Sequence, residues 1–289
     1  MLQNKEGLNW TSTLNFSKDR SEVKSLYEGL NTYNIGWTWG IGTYATVGEK
    51  WGDLMGTGYN RVTEEDVTKG TATSDQIGAV KVNSSGAPYQ ASSQKLGNVT
   101  PDFLMGWRND FAIKQFGFGF MFDLRIGGDI WSQTMNHGYT AGVAEYTVEN
   151  GVRERAIVAG KDVMTQNRYV MQDAGGNWVE NTIETDAQTW FEQYGVAEDY
   201  IFKGSYLKLR ELYVSYEFPK HLLAQTRYFS RATISFVANN VALLWVDKSN
   251  TMRLDPEAGG VSSDSRGVGF EQASVPSSRS FGIKVGLTF

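Results

Sequence analysis

The sequence predicts an all-β chain, an antiparallel transmembrane β-barrel segment whose long connections lie on one side. Three observations lead there. Six stretches alternate apolar with small or polar residues at a period of two. Each runs for about nine to thirteen residues, matching the roughly 9–11 needed to cross a bilayer at a tilt. The connections between them are lopsided, some very short and some very long. Compact soluble domains avoid that pattern, and membrane barrels favour it.

The stretches follow in chain order. "LNWTSTLNF" sets Leu8, Trp10, Leu14 and Phe16 against Asn9, Thr11, Thr13 and Asn15, with Ser12 as the exception. "MGWRNDFAI" sets Met105, Trp107, Phe111 and Ile113 against Gly106, Arg108, Asp110 and Ala112. "FGFGFMFDLRI" is the clearest, with Phe116, Phe118, Phe120, Phe122, Leu124 and Ile126 opposite Gly117, Gly119, Met121, Asp123 and Arg125. "YLKLRELYVSYEF" ends with Leu212, Val214, Tyr216 and Phe218 against Tyr213, Ser215 and Glu217. The fifth sets Ala232, Ile234, Phe236 and Ala238 against Thr233, Ser235, Val237 and Asn239. The last is "FGIKVGLTF", where Phe281, Ile283, Val285, Leu287 and Phe289 alternate with Gly282, Lys284, Gly286 and Thr288.

Only Lys114 and Gln115 separate the second and third stretches, and "PKHLLAQTRYF" separates the fourth and fifth. The other three connections are long. Within them "ETDAQTWFEQYG" (184–195) reads as a short helix, and "TEEDVTKGTATSDQ" (63–76) as exposed polar chain. No linker divides the chain, so residues 1–289 are read as one domain portion.

Composition agrees. Gly (32) and aromatics (13%) are plentiful and Pro (5) is scarce, which favours strands. The longest apolar run, "VALLWV" (241–246), is far too short for a spanning helix. A net charge of −5 gives no support to a nucleic-acid partner. Without cysteine there are neither disulfides nor thiolate metal sites, and His137 and His221 lack ligand spacing. "MLQNKEGLNW" has no basic start followed by an apolar run, so the chain reads as cytoplasmic or as the downstream part of a longer exported one.

No nucleophile elbow, phosphate loop, dinucleotide fingerprint or zinc-protease helix occurs, so no enzyme, cofactor or metal site is expected. Glu64, Glu65 and Asp66 read as a solvated loop. Asp255 and Glu257, in "RLDPE", read as a turn whose Asp bonds local backbone, with Ca²⁺ as the alternative. Asn9 and Asn15 open glycosylation triplets but fall within strands. Trp131, Trp178 and Trp190 are the candidate substrate contacts among the aromatics outside the strands. For Trp131 and Trp245, a headgroup belt or loop packing is the competing role.

"SYLKLRELYVSYEFP" (205–219) closely resembles a signature near the end of SusC/RagA-type TonB-dependent outer-membrane transporters of Bacteroidetes. Its core is Tyr206, Leu207, Lys208, Leu209, Arg210 and Glu211. "GLNWTSTLNFSKDRSEVKSL" (7–26), "LGNVTPDFLMGWRNDFAIKQFGFGFMFDLRIGGDIW" (96–131), "VANNVALL", "LDPE" and "VPSSRSFGIKVGLTF" are similar to that family's elements in the same order. The region 138–179 matches nothing quotable, and the TonB box and plug domain are not in the chain. The resemblance implies the last six or so strands of a barrel of about 22. It implies a SusD-like lipoprotein lid, energy from TonB–ExbB–ExbD through the plug, and oligosaccharide or peptide substrates. Phe281, Ile283, Val285, Leu287 and Phe289 would then form the closing strand that the barrel-assembly machinery recognises.

Phe116, Phe118, Phe120 and Phe122 are accordingly expected to face outer-membrane lipid. Phe120→Arg should block assembly, and Gly119→Ser on the lumen face should not. The alternative is a secreted, soluble, carbohydrate-binding β-sandwich, which buries one face of each sheet in a core. A hydrolase on a β-scaffold is weaker, because no acid/base pair stands at a suitable spacing.

Overall fold

The computed structural model describes residues 7–153, 157–158, 167–223, 228–257 and 269–289. The opening Met1–Glu6, part of the 138–179 region and part of "PKHLLAQTRYF" lie outside them.

All six expected strands form, and they assemble into one sheet. They are β1 (Leu8–Ser17), β2 (Pro101–Ile113), β3 (Phe116–Gly127), β4 (Tyr206–Glu217), β5 (Arg231–Val246) and β6 (Ser280–Thr288). Their spatial order is their chain order, and every neighbouring pair is antiparallel. β2 starts before the alternation begins, and β5 continues through "VALLWV" to 16 residues. Thirteen residues at about 3.3 Å each give β2 a length of about 43 Å, which at a 45° tilt covers about 30 Å, the thickness of a bilayer's hydrocarbon.

The register aligns the apolar faces across the whole sheet. Trp10, Phe111, Phe118, Val214, Phe236 and Ile283 form one continuous row. The next row on the other face is Thr11, Asp110, Gly119, Tyr213, Val237 and Gly282. The first face carries an aromatic ladder in which Phe111 lies 6.0 Å from both Trp10 and Phe118, and Phe120 5.3 Å from Phe122. The second carries ion pairs, Arg108 with Asp110 and Glu211. A sandwich would cover the apolar face with a second sheet. Instead Phe281, Ile283 and Val285 are 62–73% exposed. That rules the sandwich out. Phe289 lies just past β6, also exposed, with its ring 5.2 Å from Phe229.

Two polar residues interrupt the apolar face, and they meet. Ser12 pairs with Asn109 across β1 and β2. Trp10 Nε1 donates to Asn109 Oδ1 (3.0 Å), and Trp107 Nε1 donates to Ser12 Oγ (2.9 Å). The indoles thus satisfy one oxygen each and wall Asn109 off from the outside, although its Nδ2 has no partner among the described residues.

The lumen face is less permissive than the alternation suggests. Tyr213 lies across Gly119 to donate to Asp110 Oδ1 (2.8 Å), and a Cβ on Gly119 would sit 2.3 Å from Tyr213 Cε1. A serine at position 119 therefore collides with a ring, contrary to the expectation that this substitution is harmless.

One end of the sheet carries the two-residue turn at Lys114 and Gln115 and the connection between β4 and β5. The opposite end carries the three long connections, which are folded rather than loose. The first contains a four-stranded sheet (Thr32–Thr38, Ile41–Thr46, Asp53–Tyr59 and Gln90–Asn98) and helix α1 (Glu64–Thr68). The second contains α2 (Gln133–Thr140) and α3 (Ala187–Gln193), the latter as expected and capped by Asp186, which accepts from Thr189 N. The strand Asp129–Ser132 pairs with Ile201–Lys203 and with Phe270–Glu271, which draws in the third. Ile41, Leu54, Trp131, Tyr139, Tyr200 and Phe270 share the resulting core. The stretch 63–76 is mostly exposed, as expected, but it is folded, containing α1 and anchored at two points. Asp66 accepts from Thr63 N and from Lys81 Nζ (2.9 Å), and Gln76 is buried.

Candidate functional site

The signature strand slips phase in the middle. Leu207 and Leu209 face outward at odd positions, and Leu212 and Val214 face outward at even ones. A bulge at Arg210 makes the change, since Leu209 pairs with Phe122 but Glu211 with Met121. Such a bulge adds one residue to one strand and re-aims its neighbours. The adjoining strand is irregular at the same level, where Asn240 has a positive φ of 49°. Tyr206, Lys208 and Arg210 consequently share the sheet's polar face.

They meet the acidic turn that sequence reading treated separately. Lys208 Nζ donates to Asp255 Oδ1 (2.6 Å) and Glu257 Oε2 (2.5 Å). Arg210 makes a two-pronged contact with Glu257 (2.7 and 2.8 Å), pairs with Asp123 on β3, and donates to Asn240 Oδ1 (2.9 Å). Tyr206 OH donates to Glu257 Oε1 (3.0 Å). The turn itself is as expected, with Glu257 N donating to Asp255 Oδ1. The place a Ca²⁺ would take between the carboxylates is held by the ammonium of Lys208 and the guanidinium of Arg210.

Two cations and three carboxylates thus share one side of the wall, and Lys208's side chain is only 4% exposed. Bidentate, charge-assisted bonds of this kind are the strong ones, and a buried charge is tolerated only when paired. Burial, the largest influence on Glu257, pushes its carboxyl upward, but the bonds from Arg210 and Lys208 outweigh it and hold the group at about 2. Asp255 is likewise lowered, with burial opposing and Lys208 and Ser277 prevailing. Mechanically, the cluster rivets the connection between β5 and β6 onto β3 and β4.

The three tryptophans do not join this cluster. Trp131 is 1% exposed in the core of the folded connections, and its Nε1 has no partner among the described residues. Trp190 is buried too, edge-on to Tyr169 (5.3 Å) and Tyr194 (5.7 Å), and it lines a cavity. Half-buried Trp178 has the Lys81 ammonium 4.9 Å from its ring centre. Trp245 is exposed on the apolar face opposite Leu207.

No family model matches the chain. A curated relative, TonB-dependent receptor P3 of Formosa agariphila, is 23% identical over 97% of this chain. The chain is similar to a segment of a TonB-dependent receptor. It spans 27% of that relative's length. Two solved structures of the RagAB peptide importer, in its closed-closed and open-open states, each cover 100% of the chain with a TM-score of 0.57 at 18% identity. The chain in turn covers 28% and 27% of those chains. At that identity the likeness establishes the fold, that of a transporter's β-barrel wall. The resemblance carried by the signature strand therefore holds at the level of sequence and of fold.

Proposed function

We propose that residues 1–289 are the C-terminal portion of the barrel of an outer-membrane, TonB-energised importer of oligosaccharides or peptides. The observation that carries this reading is the uncharged apolar row from Trp10 to Ile283, exposed on one face while ion pairs line the other. In a barrel wall the first face meets lipid and the second lines the lumen. The relatives add TonB dependence from one and peptide import from the other. A SusD-like lipoprotein would cover the folded connections at the outer end, TonB–ExbB–ExbD would act through a plug elsewhere in the parent protein, and the assembly machinery would receive β6. The turn at Lys114 would be periplasmic. Trp190 is the best placed of the three tryptophans to touch cargo, because it lines a cavity. No enzymatic role is proposed.

Uptake of labelled peptides and oligosaccharides by cells carrying or lacking the parent gene, with and without TonB, tests the reading. Uptake that requires both is expected. Uptake indifferent to the gene, or recovery of the product as a soluble secreted protein, would overturn it.

A further inference from the structure

The folded connections border a half-open cavity of 360 Å³ between α2, α3 and the turn Ala197–Tyr200. Its size falls at the lower end of small-molecule sites, about 300–1,000 Å³. Five aromatic rings line it, those of Tyr139, Tyr146, Trp190, Phe191 and Tyr200. Tyr139 stacks on Tyr146 at 5.1 Å and meets Phe191 at 6.2 Å and Tyr200 at 5.9 Å.

Asp199 and Glu198 line the same cavity. Glu198 is spoken for by Arg61, which also donates to Gly78 O and Asn167 Oδ1. Asp199 has only neutral donors among the described residues, Tyr59 OH (2.5 Å) and Val196 N (3.1 Å), both on Oδ2. Capping the turn accounts for that one oxygen. It does not account for a half-buried carboxylate beside a ring-lined cavity, with no cation bonded to it among the described residues and Arg61 engaged by Glu198, an arrangement that favours the arrival of a positive charge. Ring faces and a carboxylate both attract an organic cation and give little to a neutral group of the same shape.

We propose that this cavity binds an organic cation, a protonated amine or guanidinium carried by the cargo, with Asp199 as its counter-ion and the five rings as its walls. Only the word "cargo" rests on the import reading; the binding does not. Burial raises the Asp199 carboxyl to about 6. The groups facing it are Tyr59 and Arg61 from the first connection, Tyr139 and Tyr146 from the second, and Glu198 and Tyr200 from its own turn. Burial raises the hydroxyls of Tyr59, Tyr139, Tyr146 and Tyr200, which keeps them neutral, so Asp199 is the group placed to change charge near pH 6. Cation binding should therefore weaken as pH falls through 6.

The test is titration of the full-length protein in detergent with n-butylammonium chloride and, separately, n-butanol, followed calorimetrically at pH 7.5 and pH 5. Butylammonium should bind at pH 7.5 at least tenfold more tightly than butanol, and more weakly at pH 5. Asp199→Asn should lose at least tenfold, and the exposed control Asp75→Asn should lose nothing. Equal binding of butanol and butylammonium by the unaltered protein would overturn the proposal, as would unchanged affinity at pH 5. Neither comparison needs a variant to fold. Because no transport is measured, binding without uptake would fail the import reading alone, and uptake without binding would fail this one alone.

Discussion

Replacing Lys208 with methionine tests what the signature strand is for. The substitution keeps the length of the aliphatic stem and removes the charge that faces Asp255 at 2.6 Å and Glu257 at 2.5 Å. Glu257 keeps Arg210 and Tyr206, and Asp255 keeps Ser277 Oγ (2.6 Å) and the backbone of Glu257. Removing one partner of a buried ion pair costs about 3–5 kcal/mol, and the partners that remain put this case at the lower end, about 3 kcal/mol. The loss should concentrate in the connection between β5 and β6, since the six-strand ladder does not use the ammonium. Limited proteolysis of the parent protein in detergent reads this directly: cleavage between β5 and β6 should accelerate on the order of 100-fold when that segment's opening is about 3 kcal/mol easier. Lys208→Met combined with Asp255→Asn and Glu257→Gln should recover part of the protection, because no orphaned charge is left. Unchanged proteolysis in the single variant, or no recovery in the triple one, would refute the rivet.

On the proposed reading that the apolar face meets lipid, Phe120→Arg costs about 2–4 kcal/mol near the midplane, so heat-modifiable barrel should disappear from the outer-membrane fraction. Gly119→Ala should also impair assembly, because its Cβ would sit 2.3 Å from Tyr213, whereas Gly282→Ala, with nothing within 4 Å, should assemble normally. Asn109→Asp should be far more damaging than Asn109→Leu when band intensities of folded protein are compared, since a carboxylate would be buried against Trp10, with no cation in contact, on a face made for lipid. Glu257 is held below its usual value of 4.5, at about 2, so its contribution is complete above pH 4.5 and is lost as pH falls toward 2. Proteolysis of the same connection with an acid-active protease should therefore rise between pH 4.5 and pH 2, and a flat profile would contradict the pairing.

The strands were readable because one face of each is largely apolar and uncovered, interrupted by Ser12 and Asn109, so the period of two survives in the letters. Even the bulge leaves a trace, the change of parity within "YLKLRELYVSY", although alternation alone gives no reason to look for it. The strands of the folded connections leave none. Ile41–Thr46 and Asp53–Tyr59 are short and enclosed on both sides, and two-sided burial erases alternation. The ionic cluster was hidden for another reason. Lys208 and Glu257 lie 49 positions apart, and nothing in "RLDPE" says which cation it will meet. Gly119 looked replaceable because a small residue facing a lumen resembles empty space, and only the register shows Tyr213 lying over it.

The central claim, that one face of this sheet meets lipid and the other water, is tested most directly on β6. Single cysteines at positions 281 to 287 of the parent protein, each carrying a nitroxide, report local access to oxygen and to a water-soluble nickel chelate in reconstituted bilayers. The structure predicts a period of two, with 281, 283, 285 and 287 oxygen-accessible and shielded from nickel, and 282, 284 and 286 the reverse. Uniform nickel access along the strand, or the opposite phase, would contradict it.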